Sequence, residues 1–165
     1  GSLGAASINN AIVASLKEFE KHGIQVIWQT GKNYFEQNKN LASGMNFISA
    51  FIERMDNAYT ACDMVLARAG ATTISEITVL GLAAVLVPSP NVAENHQYYN
   101  AKSLELKNAA VLIKDADINE KIIPVINKLV YDEEKLISLR RSAKSLGRPD
   151  AADIIADNAI KLAEA

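Results

Sequence analysis

Cysteine is almost missing from this chain: Cys62 is the only one in 165 residues. One thiol excludes an internal disulfide and any cysteine-rich metal site, and its helical, apolar surroundings mark Cys62 as a small buried hydrophobe. Histidine is nearly as scarce, with only His22 and His96. His22 falls in a surface helix-to-strand turn, so no histidine metal site is expected. No apolar run reaches the roughly 18 residues that suggest a membrane span. Net charge is −2 from mixed signs, which leaves no electrostatic footprint for nucleic acid. Gly1-Ser-Leu-Gly-Ala5 lacks the basic region and long apolar core of a signal peptide. No Ser-His-Asp set, P-loop or paired-carboxylate acid–base site is present. These absences point to a globular protein of a reducing cytoplasm.

What is there alternates between two periods. Ile8, Ile12, Leu16 and Phe19 recur at helical spacing over residues 5–20. Short apolar runs follow at 24–29, 46–52, 64–68, 84–87 and 110–113, each read as a strand. Between them lie helices at about 54–61, 73–80 and 95–107, the second ended by Gly81 as its cap. Pro88 and Pro90 cut off the fourth run. The polar stretch 32–44 reads as a loop with a short helix. Three further helices, near 118–130, 133–146 and 150–163, finish the chain. Apolar residues make up 49%, enough to bury one core, so residues 1–165 are expected to form a single domain. Alternating strands and helices imply an α/β fold, a Rossmann-like parallel sheet with helices on both faces.

The polar clusters fall at strand ends, where a parallel sheet opens its ligand crevice. Arg68-Ala-Gly-Ala-Thr-Thr-Ile-Ser-Glu76 combines a small-residue turn, a helix start and a carboxylate. A helix N-terminus favours an anion, and Glu76 could accept hydrogen bonds from ribose hydroxyls. Thr73-Ile-Ser-Glu76 also fits a capping box, which needs no ligand, and spacing leaves both readings open. Glu94-Asn-His-Gln97 suits sugar hydroxyls; the alternative is helix capping by Asn95 among solvated neighbours. Gln29-Thr-Gly-Lys32 offers an amide and a cation to the same crevice, or is a plain strand exit. Gly1-Ser-Leu-Gly4 is either an anion cradle before the first helix or a flexible terminus. Asp115-Ala-Asp117 is expected to lie outside these clusters.

In order and together, these pieces resemble the C-terminal half of the MurG family of peptidoglycan glycosyltransferases. The resemblance runs through Gly-Ser-Leu-Gly-Ala at 1–5, Trp28-Gln-Thr-Gly31, Phe51-Ile52, the Arg68–Glu76 segment, Pro88-Ser-Pro-Asn-Val-Ala-Glu-Asn-His-Gln97 and Asn100-Ala101. That family moves N-acetylglucosamine from UDP-GlcNAc onto lipid I to give lipid II, with inversion and without a metal or cofactor. Its GT-B fold has two Rossmann-like halves, of which the C-terminal one holds the donor. The resemblance implies that Glu76 binds the ribose and that the backbone around Ile52 reads the uracil edge. It places Ser2 and Gly4, with Ala71, Thr72 and Thr73, at the diphosphate, and His96, Gln97 and Asn100 at the GlcNAc hydroxyls.

It further implies that the acceptor site, the membrane-facing patch and the catalytic base belong to an N-terminal half absent here. No catalytic residue is therefore assigned, and the intact protein is expected at the cytoplasmic face of the bacterial plasma membrane, peripherally associated. The family pattern also has a strand and another glycine before Gly1. Without that strand, its two neighbours in the sheet are expected to expose unpaired edges. Two other readings stay open: a UDP-sugar epimerase on the same fold, and a non-catalytic nucleotide-binding module.

Overall fold

The computed structural model describes residues 5–164. Its first helix, α1 (Ala6–Lys21), buries Ile8, Ala11, Ile12, Leu16 and Phe19 along one stripe. Full burial of such side chains contributes about 1.5–3 kcal/mol each. Gly23 (φ +66) supplies the left-handed turn that ends it, and the Ile24 N–H reaches back to the Phe19 carbonyl at 2.9 Å. That closure satisfies a helix-end carbonyl and aims the chain into β1 (Val26–Gln29).

The remaining elements follow the expected order. They are α2 (Lys32–Asn38), β2 (Asn46–Ser49), α3 (Met55–Ala61), β3 (Val65–Ala67), α4 (Ala71–Leu80), β4 (Ala84–Leu86), α5 (His96–Leu106), β5 (Val111–Leu112), α6 (Ile118–Val130), α7 (Glu133–Ser145) and α8 (Ala151–Ala163). The strands are shorter than their apolar runs, which extend beyond the ladder at one end or both. All pairings are parallel, in two sheets: β1 with β2, and β3–β4–β5. Among the described residues β1 and β3 are each paired on one side only.

Two helical layers cover the strands. Alternation along β4 sends Val85 and Val87 to one face and Ala84 and Leu86 to the other. The first face packs against α1 and α6, whose Ile118, Ile122, Ile126 and Leu129 are buried. This cluster also takes in Trp28 and Ile48, so α1 and α6 bridge both sheets. The second face packs against α4, α5 and α7 through Ile77, Ala101, Leu104 and Ala143. Pro124 lies inside α6 and forfeits one backbone bond; the buried isoleucine stripe on either side keeps that helix continuous. By contrast α8 buries none of its residues.

Cys62 is a correction. It sits at the C-cap of α3 with extended backbone, half-buried, its thiol 3.5 Å from the Tyr59 carbonyl. The helix stops one residue short of it, so it does not reach the core.

Candidate functional site at the strand carboxyl ends

The turn after each strand is pinned to a neighbour by a side chain, and these pins define one rim. At the end of β1, Gln29 Oε1 accepts the Ile52 N–H at 2.9 Å, fixing the turn after β2. At the end of β3, Arg68 donates to the Val87 carbonyl at 3.1 Å and the Pro88 carbonyl at 3.3 Å, tying β3 to the exit of β4. Asn100 Nδ2 donates to the Ala69 carbonyl at 3.2 Å, bringing α5 onto the same turn. Gln97 Oε1 accepts the Ser89 N–H at 2.9 Å and holds the loop that leaves β4.

The start of α1 joins this rim from above. Buried Asn9 donates to the Thr30 carbonyl at 3.0 Å and accepts from Trp28 Nε1 at 3.0 Å, which docks α1 on the exit of β1. Two residues earlier, Ser7 Oγ accepts from Arg68 at 2.8 Å and donates to Asp115 at 2.5 Å, while Arg68 and Asp115 form an ion pair. Asp115 was expected outside the clusters; the chain leaving β5 turns back across the rim and delivers it to Arg68. Asp117, the other half of that Asp-x-Asp pattern, is paired with Lys121 at 2.7 Å.

The capping-box reading of Thr73-Ile-Ser-Glu76 is overturned. Helix α4 begins at Ala71 with Gly70 as N-cap, which makes Thr73 its third residue. Thr73 therefore cannot cap, and Glu76 does not close back on it. Instead Glu76 Oε2 accepts from the Tyr59 hydroxyl of α3 at 2.7 Å. Ala71 and Thr72 are exposed and Thr73 half-buried, with no side-chain capping bond at this helix start. The first-turn N–H groups of α4 thus have no side-chain acceptor, which is the condition for meeting an anion.

Asn95 as a capping residue is also overturned. It stands at the N-cap position of α5 but in the left-handed region (φ +51), directly after Glu94 (φ +53), and its side chain makes no cap bond. Two consecutive left-handed non-glycine residues are uncommon, and they lift the 93–95 turn so that His96 opens α5. His96 is exposed, with Nδ1 2.9 Å from the Ala93 carbonyl; Gln97 and Asn100 are half-buried on the next turns.

The turn bearing Ile52 borders an apolar cleft of about 470 Å³ lined by Ile27, Phe47, Phe51, Ile52, Asn57 and Ala58. Phe51 is 68% exposed, leaving its ring available beside the Ile52 backbone. The Ile52 N–H is engaged by Gln29 in this state. Ser2 and Gly4, the other residues assigned to the diphosphate, lie outside the described residues. Tyr59, Gln29, Ser7, Arg68 and Asp115 are the site neighbours that sequence reasoning did not assign. Only the Gln29 and Arg68 motifs carried a prior signal.

Residues 1–155 match the family model described as the glycosyltransferase family 28 C-terminal domain. The chain belongs to that family. Relatives agree over almost the whole length. The UDP-N-acetylglucosamine--N-acetylmuramyl-(pentapeptide) pyrophosphoryl-undecaprenol N-acetylglucosamine transferase of Parabacteroides distasonis is 47% identical over 98% of this chain and 45% of its own. The protein of the same name from Bacteroides thetaiotaomicron is 45% identical over 100% of this chain and 46% of its own. This family 28 domain thus spans about half the length of the relatives it matches. Among solved structures, Acinetobacter baumannii MurG superposes with a TM-score of 0.82 at 29% identity, over 98% of this chain and 48% of that one. The glycotransferase of kitacinnamycin shares the fold, with a TM-score of 0.60 at 21% identity over 81% of this chain and 34% of that one. The α/β, parallel-sheet reading of the family 28 domain stands on these matches together with the observed topology.

Proposed function

We propose that this chain is the UDP-GlcNAc-binding half of an inverting N-acetylglucosaminyltransferase that converts lipid I to lipid II in peptidoglycan synthesis. The observation that carries the reading is the convergence of the start of α4, Glu76, the Ile52 turn and the His96–Asn100 segment on one strand-end rim, in a family 28 domain. The ribose would meet Glu76, the uracil edge the Ile52 turn, and the diphosphate the free N–H groups at Ala71–Thr73. Ser2 and Gly4 would complete the diphosphate contacts, and His96, Gln97 and Asn100 would take the sugar hydroxyls.

In that chemistry an acceptor hydroxyl displaces UDP in one step. The share of this domain is to hold the donor in line and to stabilise the charge that grows on the leaving diphosphate. Fixed backbone donors suit that task because they need no reorganisation as the charge develops. Both carboxylates of the Asp-x-Asp pattern are ion-paired, Asp115 with Arg68 and Asp117 with Lys121; that the reaction needs no metal is carried by the family resemblance. The acceptor site and the general base belong to the remainder of the intact protein. No helix among the described residues is long and apolar enough to cross a membrane; peripheral association at the cytoplasmic face is the reading for the intact protein.

The test is product analysis of the intact protein with UDP-GlcNAc and a lipid I analogue, with and without EDTA. The reading expects a β-linked disaccharide and UDP in both conditions. An epimerised sugar, or no product from a correctly folded protein, would overturn it.

A further inference from the structure

Glu76 is an exposed carboxylate on α4 with a partner on a different helix. Tyr59, in the last turn of α3, donates its hydroxyl to Oε2 at 2.7 Å. The phenol is half-buried and Glu76 is exposed, so the bond joins a partly sheltered donor to a carboxylate that reaches solvent. A carboxylate offers about four acceptor positions. The Tyr59 bond uses one and leaves Oε1 and a further lone pair on Oε2 without a partner among the described residues.

A glutamate on a helix surface has three torsions to freeze before both its oxygens can meet a rigid diol, and a ligand would ordinarily bear that entropy. Tyr59 transfers it to the fold. Helix α3 also starts at Met55, directly after the 51–54 turn that carries Ile52. One short helix therefore links the turn beside the apolar cleft to the orientation of Glu76.

We propose that Tyr59 is a positioning residue for nucleoside recognition: it holds Glu76 in the rotamer that accepts both hydroxyls of a ribose, and so sets the preference for ribo- over 2′-deoxyribonucleotides. This rests on the reading of Glu76 as the ribose ligand. Burial and the neighbouring carboxylate both push the Tyr59 phenol upward from its ordinary pKa, so the hydroxyl remains a donor throughout the neutral range.

The test is calorimetric titration of the 165-residue chain with UDP and with 2′-deoxy-UDP, for the wild type, Tyr59→Phe, Glu76→Ala and the double variant. Tyr59→Phe keeps every ring atom and removes only the hydroxyl. UDP binding is expected to weaken about three- to tenfold in Tyr59→Phe, the worth of one net hydrogen bond. Binding of 2′-deoxy-UDP should change much less, so that the ribo preference shrinks. The double variant should match Glu76→Ala alone, because Tyr59 acts only through that carboxylate. A merely structural role would lower both affinities equally, and would add to the Glu76 loss in the double variant; either result overturns the proposal. Wild-type affinity and preference in Tyr59→Phe, with loss in Glu76→Ala, would also overturn it while leaving Glu76 as the ribose ligand. No loss in Glu76→Ala would sink the ribose reading and this proposal together.

Discussion

Arg68 and Asp115 form an ion pair that closes four separate chain segments onto one point. Each side chain is only about one-fifth exposed, at 20% and 21%. Arg68 also holds the exit of β4 through two carbonyls, and shares Ser7 at the start of α1 with Asp115. The pair therefore sets where the first turn of α1 stands against the exits of β3 and β4.

Removing Arg68 should cost more than removing its partner. Arg68→Ala leaves a mostly buried carboxylate and two carbonyls without their donor, and should destabilise the chain by about 2–4 kcal/mol. Asp115→Asn keeps an acceptor for both Arg68 and Ser7, and should cost about 1–2 kcal/mol. Urea unfolding of the two variants checks the order. Equal and negligible effects would show that the pair is solvated and idle.

Gly147 tests how closely α7 ends against α4. A β-carbon there would lie 2.7 Å from the Thr78 carbonyl oxygen and 3.0 Å from its carbon, both backbone atoms that cannot swing aside. Gly147→Ala should therefore destabilise by about 1–3 kcal/mol, as overpacking does. The same change at Gly44, where nothing lies within 4 Å, should alter stability by less than about 0.5 kcal/mol. Thermal melts of both variants decide it; matching melting temperatures would contradict the close approach.

The Tyr59 phenol gives stability an alkaline limb. Burial, then the hydrogen bond to Glu76 and its charge, raise its pKa well above the ordinary 10.0. A raised folded-state value means the fold favours the protonated phenol. That contribution is complete below the unfolded-state pKa and is lost as pH rises from there through the folded-state value. Melting temperature measured from about pH 9 upward should fall less steeply in Tyr59→Phe than in the wild type. Glu76→Ala removes both causes due to Glu76 and leaves burial, so the phenol should titrate lower than in the wild type yet still above its ordinary value. Ring-carbon NMR of Tyr59 reads this directly, and an unchanged titration in Glu76→Ala would contradict the contact.

Much of the fold was legible because its signals are local. The stripe Ile8, Ile12, Leu16 and Phe19 needs only helical spacing, and Gly81 at +72° is the cap its sequence position suggested. The strand-end clusters were legible for the same reason, since each begins within ten residues of its own strand. What was hidden depends on distance. Asp115 lies 47 positions from Arg68 and Tyr59 lies 17 from Glu76, and no periodicity records such meetings. The capping box failed on a boundary of three residues: Gly70, with extended backbone, is the N-cap of α4 in place of Thr73. Asn95 failed because consecutive left-handed residues at 94 and 95 turn its side chain out of capping range. Cys62 failed because α3 ends one residue before it.

The most direct test of the central claim is a calorimetric titration of this chain with UDP and with ADP, repeated for Glu76→Ala. A uridine-reading donor site should bind UDP more tightly than ADP. The Glu76→Ala variant should lose about 1.5–3 kcal/mol of UDP affinity, the worth of hydrogen bonds to a charged group, with only a small fall in melting temperature, from the loss of the exposed Tyr59 bond. Equal binding of UDP and ADP, or full UDP affinity in Glu76→Ala, would contradict the account.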